Sequence, residues 1–298
     1  MNAELLPHAL DTARVRRGFD RAAGTFDAAA VLHAEVRGAL LARLDLTVLR
    51  PRVAVDAGAG TGHASRALKR RYPHAIVIAV DTSQAMLITA GRQRAWLRRF
   101  VRVRADAERL PFADGAADLI FSNLMLPWCD PDRAFAEFRR VLAPQGLLSF
   151  TSFGPDTLRE LRSAWMAVDL DNGEVHVHHF FDMHDLGDAL VRAGFASPVL
   201  DVERYTLTYP DLRGLAADLK ALGPRNATLG RPRGLTGRQK FVKLQAAYEA
   251  FRRDGRLPAS CEVVYGHAWA PATAVRRERA DETVSLEDLK RQLRARRR

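Results

Sequence analysis

Apolar positions recur at two periods along the chain, and the period switches repeatedly. Over 8–46 they fall at helical spacing, with Phe19, Phe26, Ala30, Leu32 and Leu40–Leu41 marking stripes on two helices broken near Gly24-Thr25. From 52 onward, short apolar runs alternate with helical stretches. Runs at 52–56, 75–80, 100–104, 118–123 and 147–153 predict strands, and 63–71, 83–97 and 131–142 predict the helices between them. Thr82-Ser83 offers an N-cap to the helix at 83–97, and Pro144-Gln145-Gly146 stops the helix before the fifth strand. Strands joined by helices build a parallel sheet.

After 154 the rhythm changes. A helix is predicted at 156–168, a loop at 176–181, and a helix at 183–194 that ends on a glycine. An alternating strand at 199–208 is followed by a helix at 212–222, a Gly/Pro/Arg-rich loop at 223–237, a helix at 239–253 and a last strand at 261–268. The expected fold is α/β: a doubly wound, mostly parallel seven-stranded sheet, with N-terminal helices and a helical insertion as lid. Residues 1–47 form the lid, 48–154 the ligand-binding core, and 155–270 the substrate-side helices and closing strands of the same domain. Beyond 271 the apolar periodicity stops, as in a solvated basic tail.

The ten residues 53–62 read Val-Ala-Val-Asp-Ala-Gly-Ala-Gly-Thr-Gly, a strand entering a glycine-rich turn before a helix. Such a turn holds a nucleotide-like ligand at a helix N-terminus, outside the carboxyl end of a strand. The dinucleotide pattern places its third glycine three positions after the second, whereas Gly62 follows Gly60 by two. Asp56 lies two residues before Gly58, where a pyrophosphate would be repelled and a cationic, phosphate-free cofactor would not. This D-x-G-x-G-x-G pattern resembles the S-adenosylmethionine site of class I methyltransferases, whose sheet is Rossmann-like. Asp81 ends the second strand and is the candidate acceptor for the ribose hydroxyls, with Thr82 and Met86 beside it. Asp106 and the Ala107 backbone are candidates for the adenine amino group, and Asn123 faces the sulfur from the end of the fourth strand. Phe26 is the candidate lid residue. Each acid alone is an ordinary turn or capping residue; their order at successive strand ends points to the cofactor.

Composition narrows the classes. The chain has 298 residues, 47% of them hydrophobic, enough for one large core. Cys129 and Cys261 are too few for a disulfide framework or a zinc site. No apolar run approaches a membrane span, and the first residues lack a leader layout, so the expected location is cytoplasmic. The net charge of +11, from 46 basic and 35 acidic residues, gathers at Lys69-Arg70-Arg71, from Arg92 to Arg104, and in the tail. Without aromatic–basic interleaving, nucleic acid is not the expected partner. His176, His178, His179 and His184 cluster with Asp182 and Asp185 but lack an H-E-x-x-H arrangement. They read as a loop at the substrate entrance, and no metal is expected.

Several stretches then sharpen the resemblance. They are 17–27 (Arg-Gly-Phe-Asp-Arg-Ala-Ala-Gly-Thr-Phe-Asp), the glycine turn, Ser122–Asp130, 135–148, 153–162, 182–188 and 218–226. Together these resemble the malonyl-[acyl-carrier protein] O-methyltransferases of biotin synthesis, over roughly 14–269. The resemblance implies methylation of the free carboxyl of a malonyl thioester, carried on acyl-carrier protein or coenzyme A, with S-adenosylhomocysteine as product. It also implies an acidic carrier partner, for which Lys69, Arg70, Arg71, Arg92 and Arg94 are the candidate dock. A carboxylate is ionised at neutral pH, so no general base is expected. Arg159 and Arg162 are the candidates to hold it, and Trp128 and Trp165 are candidate pocket walls whose alternative reading is core packing. The family often has tyrosine near Phe26; this chain has none before Tyr72, so no hydroxyl role carries over. The competing readings are an arginine hydroxylase resembling a mitochondrial complex I assembly factor, a non-catalytic cofactor-binding protein, and a quinone or sterol methyltransferase.

Overall fold

A computed structural model describes residues 10–92, 99–169, 175–224, 226–229, 231, 234 and 237–272. The apolar runs pair into one seven-stranded sheet in the order β3-β2-β1-β4-β5-β7-β6. These are β1 (Val53–Ala57), β2 (Ile76–Asp81), β3 (Val101–Arg104), β4 (Ala117–Ser122), β5 (Leu142–Phe153), β6 (Ala196–Tyr209) and β7 (Leu257–Trp269). The first five run parallel; β7 pairs antiparallel with both β5 and β6. The order reverses between β1 and β4, which opens a crevice at their carboxyl ends.

Helices cover both faces because the central strands are apolar on both sides. Leu32, Val36 and Leu40 of α3 (Val31–Arg43), Leu68 of α4 (His63–Arg71) and Leu87 of α5 (Gln84–Arg92) pack on one face. Phe135 and Phe138 of α6 (Pro131–Val141) and Leu186 and Leu190 of α8 (Met183–Ala193) pack on the other. Each such buried side chain contributes about 1.5–3 kcal/mol. A third cluster joins α7 (Arg159–Val168), α9 (Leu212–Ala221) and α10 (Arg238–Glu249) to the far ends of β6 and β7.

The N-terminal helices are α1 (Thr12–Ala22), the single turn α2 (Phe26–Ala29) and α3. The break falls at Gly24-Thr25, as the spacing predicts. Arg43 anchors α3 to the sheet: its guanidinium lies 3.7 Å over the Tyr265 ring and bonds Asp201 and Glu203, each at 2.8 Å.

Several boundaries differ from expectation; β6 and β7 start at 196 and 257 and not at 199 and 261, and α10 ends at 249 and not at 253. The helix expected at 83–97 spans Gln84–Arg92, with 93–98 outside the described residues. β5 starts at Leu142 and not at 147, because Gln145 takes φ 61° and donates its N–H to Ala270 O, which keeps Pro144-Gln145-Gly146 attached to the sheet. α7 starts at Arg159 because Leu158, at φ 55°, is left-handed and blocks an earlier start. The expected tail falls almost wholly in 273–298, outside the described residues.

Candidate functional site

A cavity sits at the carboxyl ends of β1, β2 and β4, roofed by the N-terminal helices. Its wall includes Phe26, His33, Gly58, Gly60, Asp81, Thr82, Met86, Asp106, Ala107, Asn123 and Trp128. Ten of the sequence candidates are thereby brought together; His33, on the lid, was not among them.

The glycine turn owes its shape to its backbone. Gly60 has φ 52°, and a Cβ there would point into open space beside the cavity, leaving bare backbone for a ligand to approach. Gly62 has φ 80° and serves packing instead: a Cβ would lie 2.8 Å from Ala90 Cβ and 3.1 Å from Phe100. Gly58 and Ala59 donate their N–H groups to Val80 O, both at 2.9 Å, tying the turn to β2.

Asp81 holds this corner. One carboxylate oxygen accepts from Gly60 N and the other from Ser83 N, both at 2.8 Å. Each oxygen keeps a lone pair for a further donor. Burial pushes its pKa up to about 6, partly offset by those backbone bonds. Ser83 Oγ accepts from Met86 N at 3.2 Å, the expected N-cap of α5. Asp106 accepts from Glu108 N at 3.0 Å, which fixes the turn that presents Ala107.

Asp56 does not line the cavity. It lies beneath the turn, 1% exposed, accepting from Ser65 Oγ at 2.5 Å. The carboxylate therefore positions the start of α4. Burial, with Asp81 nearby, raises its pKa to about 7.

Two acids that the sequence reading passed over fasten the lid. Asp20 of α1 accepts from Ser83 Oγ at 2.7 Å. Asp27 of α2 accepts from Thr61 Oγ1 at 2.5 Å and lies 3.3 Å from His63 Nε2. Asn123 adds a third tie, donating to His33 O at 3.1 Å while accepting from Thr151 Oγ1 at 3.1 Å. The only local signal for Asp20 and Asp27 was their place in the 17–27 stretch.

Other candidates fall elsewhere. Arg159 is exposed, 3.4 Å from Glu160, and Arg162 donates to Pro155 O and Thr157 O at 2.9 and 3.2 Å. Both guanidiniums are thus directed to their own turn, and neither is on the cavity wall. Lys69, Arg70, Arg71 and Arg92 are at the C-terminal ends of α4 and α5. A helix that follows a parallel strand runs back along the sheet. These four residues are therefore at the opposite end of the sheet from the cavity. Lys69 is bound to Pro73 O and Ala75 O, and Arg71 to Asp45 at 2.5 Å. Arg94 lies outside the described residues. Trp165 stacks on His176, centroids 3.8 Å apart, and that histidine bonds Asp169. Asp182 and Asp185 form the capping box of α8. Among the described residues, no three His, Cys, Asp or Glu side chains gather as metal ligands. No described helix is long and apolar enough to cross a membrane.

Known proteins match this geometry. Residues 55–150 match the model of the Methyltransferase domain family. The YcgJ protein of Bacillus subtilis superposes with a TM-score of 0.56 at 15% identity, covering 80% of this chain and 99% of that one. A methyltransferase structure from Bacillus halodurans gives 0.54 at 19% identity, covering 78% and 98%. These two likenesses show the fold. The malonyl-[acyl-carrier protein] O-methyltransferase of Methylovorus sp. is 54% identical over 273 residues, 89% of this chain and 91% of the relative. That of Laribacter hongkongensis is 51% identical over 280 residues, 91% and 93%. The chain belongs to the malonyl-[acyl-carrier protein] O-methyltransferase family.

As a member of that family the protein is a methyltransferase, and its methyl donor is S-adenosylmethionine. The residues present fit that donor. The open face of Gly60 leaves room against the backbone, and Asp81 offers two acceptor oxygens where a ribose would lie. Besides Asp81, whose carboxylate is engaged by Gly60 N and Ser83 N, two cavity groups are shifted away from neutral pH. Burial lowers the His33 pKa to about 4, and burial with Glu108 nearby raises that of the Cys129 thiol well above its usual range.

Proposed function

We propose that the protein methylates the free carboxylate of a malonyl group held as a thioester on acyl-carrier protein. The relatives that match along nine-tenths of the chain carry that activity in their names. The observation that supports the reading on this chain is the cavity itself, where Phe19, Phe26, His33 and Trp128 face the cofactor cradle of Gly60 and Asp81. An acceptor such as an alcohol needs a base; a malonyl carboxylate is already ionised near pH 7. When bound, S-adenosylmethionine supplies a sulfonium methyl: the carboxylate oxygen forms the O–CH3 bond, the C–S bond breaks, and a methyl ester and a thioether result. The chain's own task is to hold, orient and desolvate the acceptor, which supplies much of the acceleration in such transfers.

Purified protein is expected to transfer labelled methyl to malonyl-carrier protein and not to acetyl-carrier protein. Equal labelling of both would remove the carboxylate as acceptor.

The carrier's acidic surface requires basic residues near the cavity. α1 supplies them: Val15 and Phe19 line the cavity, while Arg16, Arg17 and Arg21 are exposed on its outer side. Charge complementarity of this kind acts mainly on encounter. The double variant R16E/R17E is expected to raise KM for malonyl-carrier protein about tenfold at low salt, with cofactor affinity unchanged. A KM unmoved by the reversal places the carrier elsewhere.

A further inference from the structure

A series of rings links three residues of the cavity wall, Trp128, His33 and Phe26, through rings that lie behind it. Trp128 meets His178 at 5.3 Å between centroids, His178 meets Phe180 at 5.1 Å, and Phe180 meets Phe153 at 5.5 Å. Phe153 meets His33 at 6.3 Å, and His33 meets Phe26 at 5.2 Å. The series joins the end of β4, the 178–180 loop, the end of β5 and the lid. His33 lines the cavity, and its Nδ1 is enclosed without a hydrogen bond. An enclosed polar atom without a partner is uncommon and calls for an explanation. The backbone here is not loose: His33 O accepts from Asn123, which Thr151 of β5 holds in turn. The backbone at His33 is thus tied to two strand ends, and its ring is packed between Phe26 and Phe153.

We propose that His33 donates a hydrogen bond to the carboxylate of the methyl acceptor and so holds it at the end of β5. This rests on the carboxyl-methylation reading above.

The chemistry favours a neutral donor over an arginine. Methylation turns the acceptor's charge into a neutral ester, and no proton moves. A full cation on that carboxylate stabilises the reactant more than the transition state, where the charge is already fading. A single neutral N–H holds one oxygen and leaves the other to react. The ring remains neutral at working pH, since burial and the nearby Arg37 charge lower its pKa to about 4. The surrounding rings exclude water that would otherwise solvate the oxygen. Arg159 and Arg162, directed away from the cavity, match this division.

The test uses binding as well as turnover. S-adenosylhomocysteine-loaded protein is titrated with malonyl- and acetyl-carrier protein. In His33→Phe, which keeps a ring and removes the donor, malonyl affinity is expected to fall about 10- to 100-fold, the factor carried by one hydrogen bond to a charged group. Affinities for acetyl-carrier protein and for S-adenosylhomocysteine remain, and kcat/KM for the malonyl form falls in parallel. His33→Gln and His33→Met have similar shape and differ in the donor. Glutamine is expected to keep malonyl affinity within a few-fold and methionine to lose it. If His33→Phe does not bind S-adenosylhomocysteine, the Gln/Met pair decides alone. Unchanged malonyl affinity in His33→Phe, or equal affinity in the Gln/Met pair, overturns the assignment. A wild-type protein that binds malonyl and acetyl forms equally overturns the carboxyl-methylation reading first, a result visible before any variant is made.

Discussion

Replacing Asp81 with alanine is expected to weaken S-adenosylhomocysteine binding by about 100-fold or more in isothermal titration. Two effects add. A hydrogen bond to a charged acceptor contributes about 1.5–3 kcal/mol, and a ribose offers two donors, so their joint loss reaches a factor of at least about 100. The variant also releases Gly60 N and Ser83 N, the two contacts that fix the turn and the start of α5. Asp81→Asn separates these effects, because the amide keeps one acceptor oxygen and the side chain's shape. The pH dependence has a definite sign. With its pKa raised to about 6, Asp81 takes up a proton as pH falls through that value and loses acceptor capacity. Wild-type affinity is therefore expected to drop between pH 8 and pH 5, while the alanine variant shows a flatter profile. Undiminished binding by Asp81→Ala would put the ribose contact elsewhere.

The parts of this site that were legible in the sequence are those set by neighbours along the chain. The run Val-Ala-Val-Asp and the glycines after it specify a strand and its turn locally, so Gly58, Gly60 and Asp81 could be placed on the cavity in advance. All seven strands were legible from local pattern, the central ones as apolar runs bounded by turns and the one at 199–208 as an alternating run. The lid contacts were not legible. Asp20 meets Ser83 across 63 positions and Asp27 meets Thr61 across 34, and no periodicity encodes such a pairing. His33 carried no local signal either, because Phe26 and Phe153 enclose it only once the chain is folded. Arg159 and Arg162 misled for a related reason. They follow the fifth strand, where a substrate clamp would be useful, but the left-handed Leu158 turns that segment so that Arg162 bonds the carbonyls behind it. The basic run at 69–71 was real as composition, yet the direction of α4 carries it away from the cavity.

Asp56→Asn is expected to stabilise the ligand-free protein by about 2–4 kcal/mol at pH 8, an advantage that closes by about pH 4. Asp56 is enclosed beneath the glycine turn, and its pKa is raised from 3.8 to about 7. A group whose folded pKa exceeds its unfolded one adds no penalty below the unfolded value. The penalty grows as pH rises from 3.8 and is complete above about 7. A shift of about three units, at 1.36 kcal/mol each, sets the upper limit near 4 kcal/mol. Asparagine keeps an acceptor for Ser65 Oγ and carries no charge, so the packing of α4 survives while the pH slope disappears. Thermal unfolding of both proteins between pH 4 and pH 8 reads this directly, and parallel curves would show that Asp56 is not held at a raised pKa. A buried negative charge beside the cradle is a cost in the empty protein and an attraction for a cationic donor. Saturating S-adenosylmethionine should therefore raise the melting temperature of the wild type more than that of Asp56→Asn. The gap should narrow with S-adenosylhomocysteine, whose sulfur is uncharged. The same carboxylate then accounts for a strained resting state and for preference of donor over product, which is the usual relation between stability and function at a binding site.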